Sequence, residues 1–252
     1  YNSVTGEPTL TDPTLLAWPE DASLWSWNFN AIELMNDPDY IYRKASKPHK
    51  TGLFDDWMGF HNLGHRVTAV GSSDTHGISH PGRPRTYVES PTDEPSEMVP
   101  QQIAEAIDQG RATISAGAFM RVEVDGEAGP GETITPGDDV VDLWIHIESI
   151  PAIDVAWVKV YANCDQVATI ATTSPDEVVK LDTKFPLKLT VDSHIVVAAF
   201  GQDSIPAALG NYDPEGAPRA ISNPIFVDID NNGVFDPPGA KSCSYDLDGP
   251  LE

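Results

Sequence analysis

Five short runs in the second half of the chain, "DLWIHIES", "VAWVKVYA", "VATIATT", "KLTVD" and "HIVVAAF", set apolar and β-branched residues between turn residues, with no helical period between them. That pattern predicts a β-sandwich. The first half has another rhythm. "FNAIELMN" is a short apolar strand segment, and "DDWMGFHNLGHRVTAVGSSD" reads as a helix ending near Gly64 followed by a strand from about Arg66 to Ser73. "EPSEMVPQQIAEAIDQGRATIS" repeats the order: Met98, Ile103, Ala106 and Ile107 form a helical face, Gly110 ends the helix, and a strand follows. Helix then strand is an α/β rhythm. The expectation is therefore an α/β portion over residues 1–122 and a β-sandwich over 123–252, packed directly without a low-complexity linker. The opening residues, rich in Pro, Asp and Thr with Trp18, Trp25, Trp27 and Phe29, read as extended structure packed on a neighbour.

Composition narrows the partners. The 252 residues suffice for a sizeable core, and 39 acidic against 15 basic side chains give a net charge of -24. Such a surface repels nucleic acid and anionic membrane, leaving cations and neutral molecules as ligands. No run of eighteen apolar residues is present, so no membrane span is expected. The acidity fits an extracytoplasmic setting, where Cys164 and Cys243 could pair; two free thiols are the other reading, and their spacing matches no zinc pattern. The chain opens at "YNSVTGEPTL", which reads as a processed or truncated product.

Two segments carry candidate chemistry. In "VGSSDTHG", residues i and i+2 of a strand share a side, so Asp74 and His76 can project together from its end. A carboxylate beside an imidazole suits zinc or manganese, and small residues at 71–73 leave room; the competing reading is a solvated strand end. In "DIDNNGVFD", Asp228, Asp230 and Asn232 alternate, followed by Gly233, the Val234 carbonyl and Asp236, matching the first nine positions of a calcium loop. Gly239 stands where the bidentate Glu of an EF-hand would be, so the choice lies between a shorter calcium loop and an ordinary Asp/Asn/Gly turn. In both, the role is structural.

Taken in order, "FNAIELMN", "DDWMGFHNLGHRVTAVGSSDTHG", "PGRPRTYV", "AIDQGRATISAGAFMRVEVDG" and "SNPIFVDIDNNG" resemble the PHP family of metal-dependent hydrolases, in particular the carbaryl hydrolase-like branch with a β-sandwich after the catalytic domain. The likeness runs from about Asn30 to Pro238. It implies the C-terminal part of a distorted β/α barrel, with zinc, manganese or iron at the carboxyl ends of the strands activating a water against a phosphate or carboxylate ester. Asp74 and His76 would be metal ligands. Arg85 would hold an anionic oxygen of the substrate, or alternatively tie its loop to a carboxylate.

One departure is large. The family's His-x-His pair is missing: the histidines stand at 49, 61, 65, 76, 80, 146 and 194, no two at i, i+2. His61 and His65 read as surface residues of the helix, His80 as a loop residue, and Glu33 as either lining the pocket mouth or capping its strand. Two ligands bind zinc weakly, so the chain would supply part of a centre. The expected partner is an N-terminal fragment that completes the barrel, or a second copy covering the same surface. Two functions follow: part of a metal-dependent hydrolase of small-molecule esters, or a non-catalytic extracellular binding or structural protein on a degenerate PHP scaffold.

Overall fold

The computed structural model describes residues 26–36, 53–76, 81–172, 176–203, 205–206 and 218–241. Its first elements are β1 (Ala31–Asn36), α1 (Leu53–Asn62) and β2 (Thr68–Ser72), with β1 and β2 parallel. Then come β3 (Arg85–Val88), α2 (Pro100–Asp108), β4 (Ala112–Ala116), β5 (Phe119–Val124), β6 (Thr133–Ile134) and β7 (Val140–Glu148). The remainder is β8 (Trp157–Ala162), β9 (Asp165–Ala171), β10 (Val179–Lys188), β11 (Ser193–Phe200), β12 (Arg219–Ser222) and β13 (Ile225–Val227). The described residues are mostly β, in several sheets, and no sheet among them closes into a barrel.

An eight-stranded sheet is the middle layer. Its path runs β3-β4-β12-β11-β13-β6, with β8 on the other side of β11 and β9 beyond it. A three-stranded antiparallel sheet, β10-β7-β5, covers one face. That interface is an apolar core in which Met120 and Val122 of β5 and Leu143, Ile145 and Ile147 of β7 meet Val158, Val160, Ile195, Val197 and Ala199. On the opposite face, Val196, Ala198, Phe200, Ile114 and Ile221 pack against Leu34, Met35, Phe54, Trp57, Met58 and Phe60 of β1 and α1. Strand β11 is thus covered on both sides, which is why "HIVVAAF" is a continuous apolar run with every residue buried. Each of its valines contributes on the order of 1.5–3 kcal/mol by leaving water. β7 has one covered face, and its buried residues alternate with Asp142, Trp144, His146 and Glu148, which point outward.

The parallel pair joins the middle sheet through side chains. Asn223, fully buried, accepts from Ala69 N at 2.7 Å and donates to Ala69 O at 3.0 Å and Ala112 O at 2.9 Å. Thr86 Oγ1 accepts from Gly71 N and donates to Gly71 O, both at 2.9 Å. These bonds stand in for a ladder and satisfy buried backbone groups of β2. Contact is close at Gly71, where a Cβ would lie 3.3 Å from Arg85 O and 3.4 Å from Ile114 Cβ, so a side chain there requires the neighbours to give by a few tenths of an ångström.

Several sequence readings need adjustment. β3 and β4, assigned to the α/β portion, are strands of the eight-stranded sheet, so this sheet draws on both sides of residue 122. "KLTVD" begins with the last residue of β10; the strand itself lies upstream, at an edge where Pro186 does no harm because its missing N–H is not needed there. His61 is a core residue, only 2 % exposed, and not a surface one. The reason is that α1 lies between layers: the His61 ring packs against Trp57, His194 and Phe226 at centroid distances of 5.2, 5.5 and 5.8 Å. His65 is half-buried, stacked 3.8 Å from Trp27.

Candidate functional site

Asp74 and His76 follow the carboxyl end of β2, in the unit where β1 and β2 run parallel around α1. Crevices beyond the carboxyl ends of parallel strands are where α/β sheets hold ligands. The two side chains come together, although not by strand alternation: Asp74 leaves the strand with φ of 42°, and His76 turns back so that its Nδ1 lies 2.6 Å from Asp74 O and 3.3 Å from Asp74 Oδ1. Both are open to solvent, His76 at 82 % and Asp74 at 52 % of the side chain. From the middle of β1, the Glu33 carboxylate accepts from Ser72 Oγ and from Asn36 Nδ2, which are paired at the ends of the two strands. Among the described residues no third His, Cys, Asp or Glu converges with Asp74 and His76. His80 lies outside the described residues.

Arg85 opens β3 and is exposed, on the same face as Tyr87 and opposite Thr86, which touches β2. Its guanidinium stands 5.9 Å from the Tyr87 ring and lines a cleft of about 480 Å³ with Tyr87, Phe119, Glu148, Ile150 and Val178. Among the described residues no hydrogen bond or ion pair joins it to Asp74 or His76.

The acidic loop after β13 is built differently. Among the described residues, Asp192, Asp228 and Asp230 form the one cluster able to converge on a cation, with ligand atoms within 4.8 Å of one another. Asp192 and Asp228 are buried and Asp230 is exposed. Asp192 precedes β11, and its carboxylate accepts from Ile229 N at 2.9 Å and Asp236 N at 2.7 Å, which clamps the loop at both ends. Asp228 accepts from Thr135 Oγ1 at 2.9 Å, Gly233 N at 2.9 Å and Asn232 N at 3.2 Å. Burial acts to raise the Asp228 carboxyl, but these bonds outweigh it and hold its pKa below the ordinary value. Asn232 donates its amide to Asp230 at 3.1 Å and Asp236 at 2.9 Å, and accepts from Val234 N at 2.8 Å. Asn231 and Gly233, at φ of 59° and 87°, make the tight reversal. Of the loop positions that sequence spacing singles out, Asp228, Asp230, Asn232, Val234 and Asp236, the structure brings Asp228 and Asp230 into this cluster but not Asp236; the spacing missed Asp192, which no local motif connects to the loop. Oxygen donors of this kind suit a hard cation such as calcium.

A third group of titratable residues is internal. His194 is fully buried on β11, its Nε2 donating to Asn62 Oδ1 at 2.8 Å, while Asn62 Nδ2 donates to Cys164 Sγ at 3.3 Å. Burial pushes the His61 pKa down to about 3, aided by the nearby Arg66 charge and opposed by the Val67 backbone. Burial likewise lowers His194 far below its ordinary value, with His61 and Lys241 adding to the effect. Both imidazoles are therefore neutral. Cys164 is in the disulfide state. The other cysteine of the chain, Cys243, lies outside the described residues.

Comparison with protein-family models, with curated proteins and with solved structures found no match to this chain. Among the described residues no helix is long and apolar enough to cross a membrane.

Proposed function

We propose that the chain contributes part of the active centre of a PHP-type metal-dependent hydrolase of small-molecule esters, with Asp74 and His76 as two of its metal ligands. The observation that carries this reading is the contact of these two side chains just beyond the carboxyl end of a parallel strand. A zinc, manganese or iron ion held there would supply an activated water and neutralise developing negative charge. The chain's own part is to hold a carboxylate and an imidazole on a strand end that Asn223 and Thr86 fix to the middle sheet. Arg85 would hold an anionic oxygen of the substrate. Further ligands come from segments beyond the described residues, or from an N-terminal fragment docked against β1 and β2. The distorted barrel belongs to that completed assembly.

Within the same reading, Asp192, Asp228 and Asp230 hold a structural calcium ion, and Cys164 pairs with Cys243 in an extracytoplasmic protein. A non-catalytic binding protein on the same scaffold is the second reading, favoured by the high exposure of His76 and Asp74. Elemental analysis of the complete assembly separates them. The hydrolase reading expects bound transition metal that Asp74→Ala and His76→Ala both lower, with loss of hydrolysis of p-nitrophenyl phosphate or p-nitrophenyl acetate. Metal content unchanged in both variants contradicts it. Non-reducing mass spectrometry decides the disulfide pairing.

A further inference from the structure

We propose that the outer face of the three-stranded sheet carries a binding site for a neutral saccharide, centred on Trp144. The indole is fixed before any ligand arrives: Nε1 donates to Asp182 Oδ1 at 2.8 Å, Asp182 Oδ2 meets His146 Nδ1 at 3.1 Å, and His146 Nε2 meets Glu148 Oε1 at 3.0 Å. His146 stacks on one face of the indole, the rings 5.5 Å apart and 25° from parallel. Along β7, His146 follows Trp144 by two positions and Asp142 precedes it by two, so all three project from the same side of the sheet. The indole borders an open cleft of about 270 Å³ whose walls are Arg121, Glu123, Gly126, Asp142, Trp144 and Lys184.

The chemistry of those walls selects the ligand. Two cations and two carboxylates balance each other there, although the chain as a whole carries -24, so the cavity favours a molecule without net charge. Among the described residues, the Asp142 carboxylate and the Lys184 ammonium make no hydrogen bond or ion pair, leaving one acceptor and one donor free in the walls of the cleft. Arg121 and Glu123 add a second donor and acceptor, 3.4 Å apart, and the Arg121 guanidinium stands 5.5 Å from the indole centre. A pyranose has an apolar C–H face for the indole and a rim of hydroxyls that both donate and accept. The volume suits one such ring. The indole and the Arg121–Glu123 pair are held before binding, whereas Lys184 must be ordered by the ligand. This site is independent of the metal reading, and it gives the sandwich a role of its own: holding the molecule to a glycan.

The test uses the full chain with cellohexaose, xylohexaose, mannohexaose and maltohexaose, each at millimolar concentration, followed by calorimetry and by the indole ¹⁵N–¹H resonance of Trp144. At least one of the four binds and shifts that resonance, while hexagalacturonate binds more weakly. Trp144→Ala and Asp142→Ala each weaken binding about tenfold or more, and Trp144→Phe, which keeps a ring, weakens it less. Asp142 is exposed, so its variant keeps the fold and guards against misreading a misfolded Trp144→Ala. Absence of binding by all four neutral sugars, binding undiminished in both alanine variants, or tighter binding of hexagalacturonate overturns the proposal.

Discussion

The two candidate cation sites are built in opposite ways. Asp74 and His76 are neighbours in sequence, touch only at a solvent-exposed strand end, and have no third carboxylate, imidazole or thiol converging with them among the described residues. Asp228 and Asp230 share one loop and Asp192 reaches it from another segment, and two of the three are buried and held by backbone N–H groups. Preorganisation is what separates them: the acidic loop already holds three carboxylates together, as the proposed calcium site requires, whereas the Asp-x-His pair needs more ligands to compete with water. The same contrast extends to the layers beneath. The Asp-x-His segment hangs from a two-stranded layer tied on by Asn223 and Thr86, while the acidic loop follows β13 in the middle sheet.

Acidification should give the largest effect. His61 and His194 are neutral in the folded protein with lowered pKa values, so the unfolded chain takes up protons that the native one refuses. Stability is full above the ordinary histidine pKa of 6.5 and falls as pH drops below it, by about 1 kcal/mol per pH unit from His61 down toward its folded value of about 3. His194 adds in the same direction. Since this pair sits between α1 and the middle sheet, hydrogen exchange at moderate acidity should rise in α1 and β2 before it rises in β7. Urea titrations across the range read the slope; a flat profile between pH 6.5 and 4 contradicts the assignment of neutral buried imidazoles.

Asn223→Ala comes next, at about 3 kcal/mol, because it strands the buried N–H and carbonyl of Ala69, while Ala112 O loses one of two donors and keeps the Asn223 backbone N–H. Denaturation gives the magnitude, and exchange should show β2 loosened while residues 228–236 stay protected. Smaller again is Asp192→Ala, about 2 kcal/mol without calcium, since two part-buried backbone N–H groups lose a charged acceptor. Saturating calcium should stabilise the wild type by a further 2–3 kcal/mol at about a hundredfold over Kd, and should do nothing for the variant. Asp74→Ala should move stability by less than about 0.5 kcal/mol, as an exposed substitution, and leave the calcium response intact.

What the sequence disclosed follows the reach of each interaction. The β-rich runs mark β7, β8, β9 and β11 because burial on one or both faces is written into adjacent residues, and the helix ending near Gly64 and the strand after it are found as α1 and β2. β12 and β13 are too short to show a period, and Pro186 with its flanking lysines disguises β10, which an edge position tolerates. His61 escaped because a polar residue on a helix reads as solvated, and only the packing of His194 and Phe226 from other strands reveals that it is covered. The acidic loop was legible through its alternate Asp and Asn positions. Asp192, by contrast, reaches it from the start of another strand, a relation no spacing rule contains.

The contrast between the two cation sites stands on one direct measurement: calcium and zinc stoichiometry of the purified chain after chelation and re-equilibration. The account predicts one calcium ion per chain in the wild type and in Asp74→Ala, none in Asp192→Ala, and no stoichiometric zinc at Asp74 and His76 unless the remaining ligands are supplied. A chain that takes up no calcium, or that keeps it undiminished in Asp192→Ala, contradicts the account.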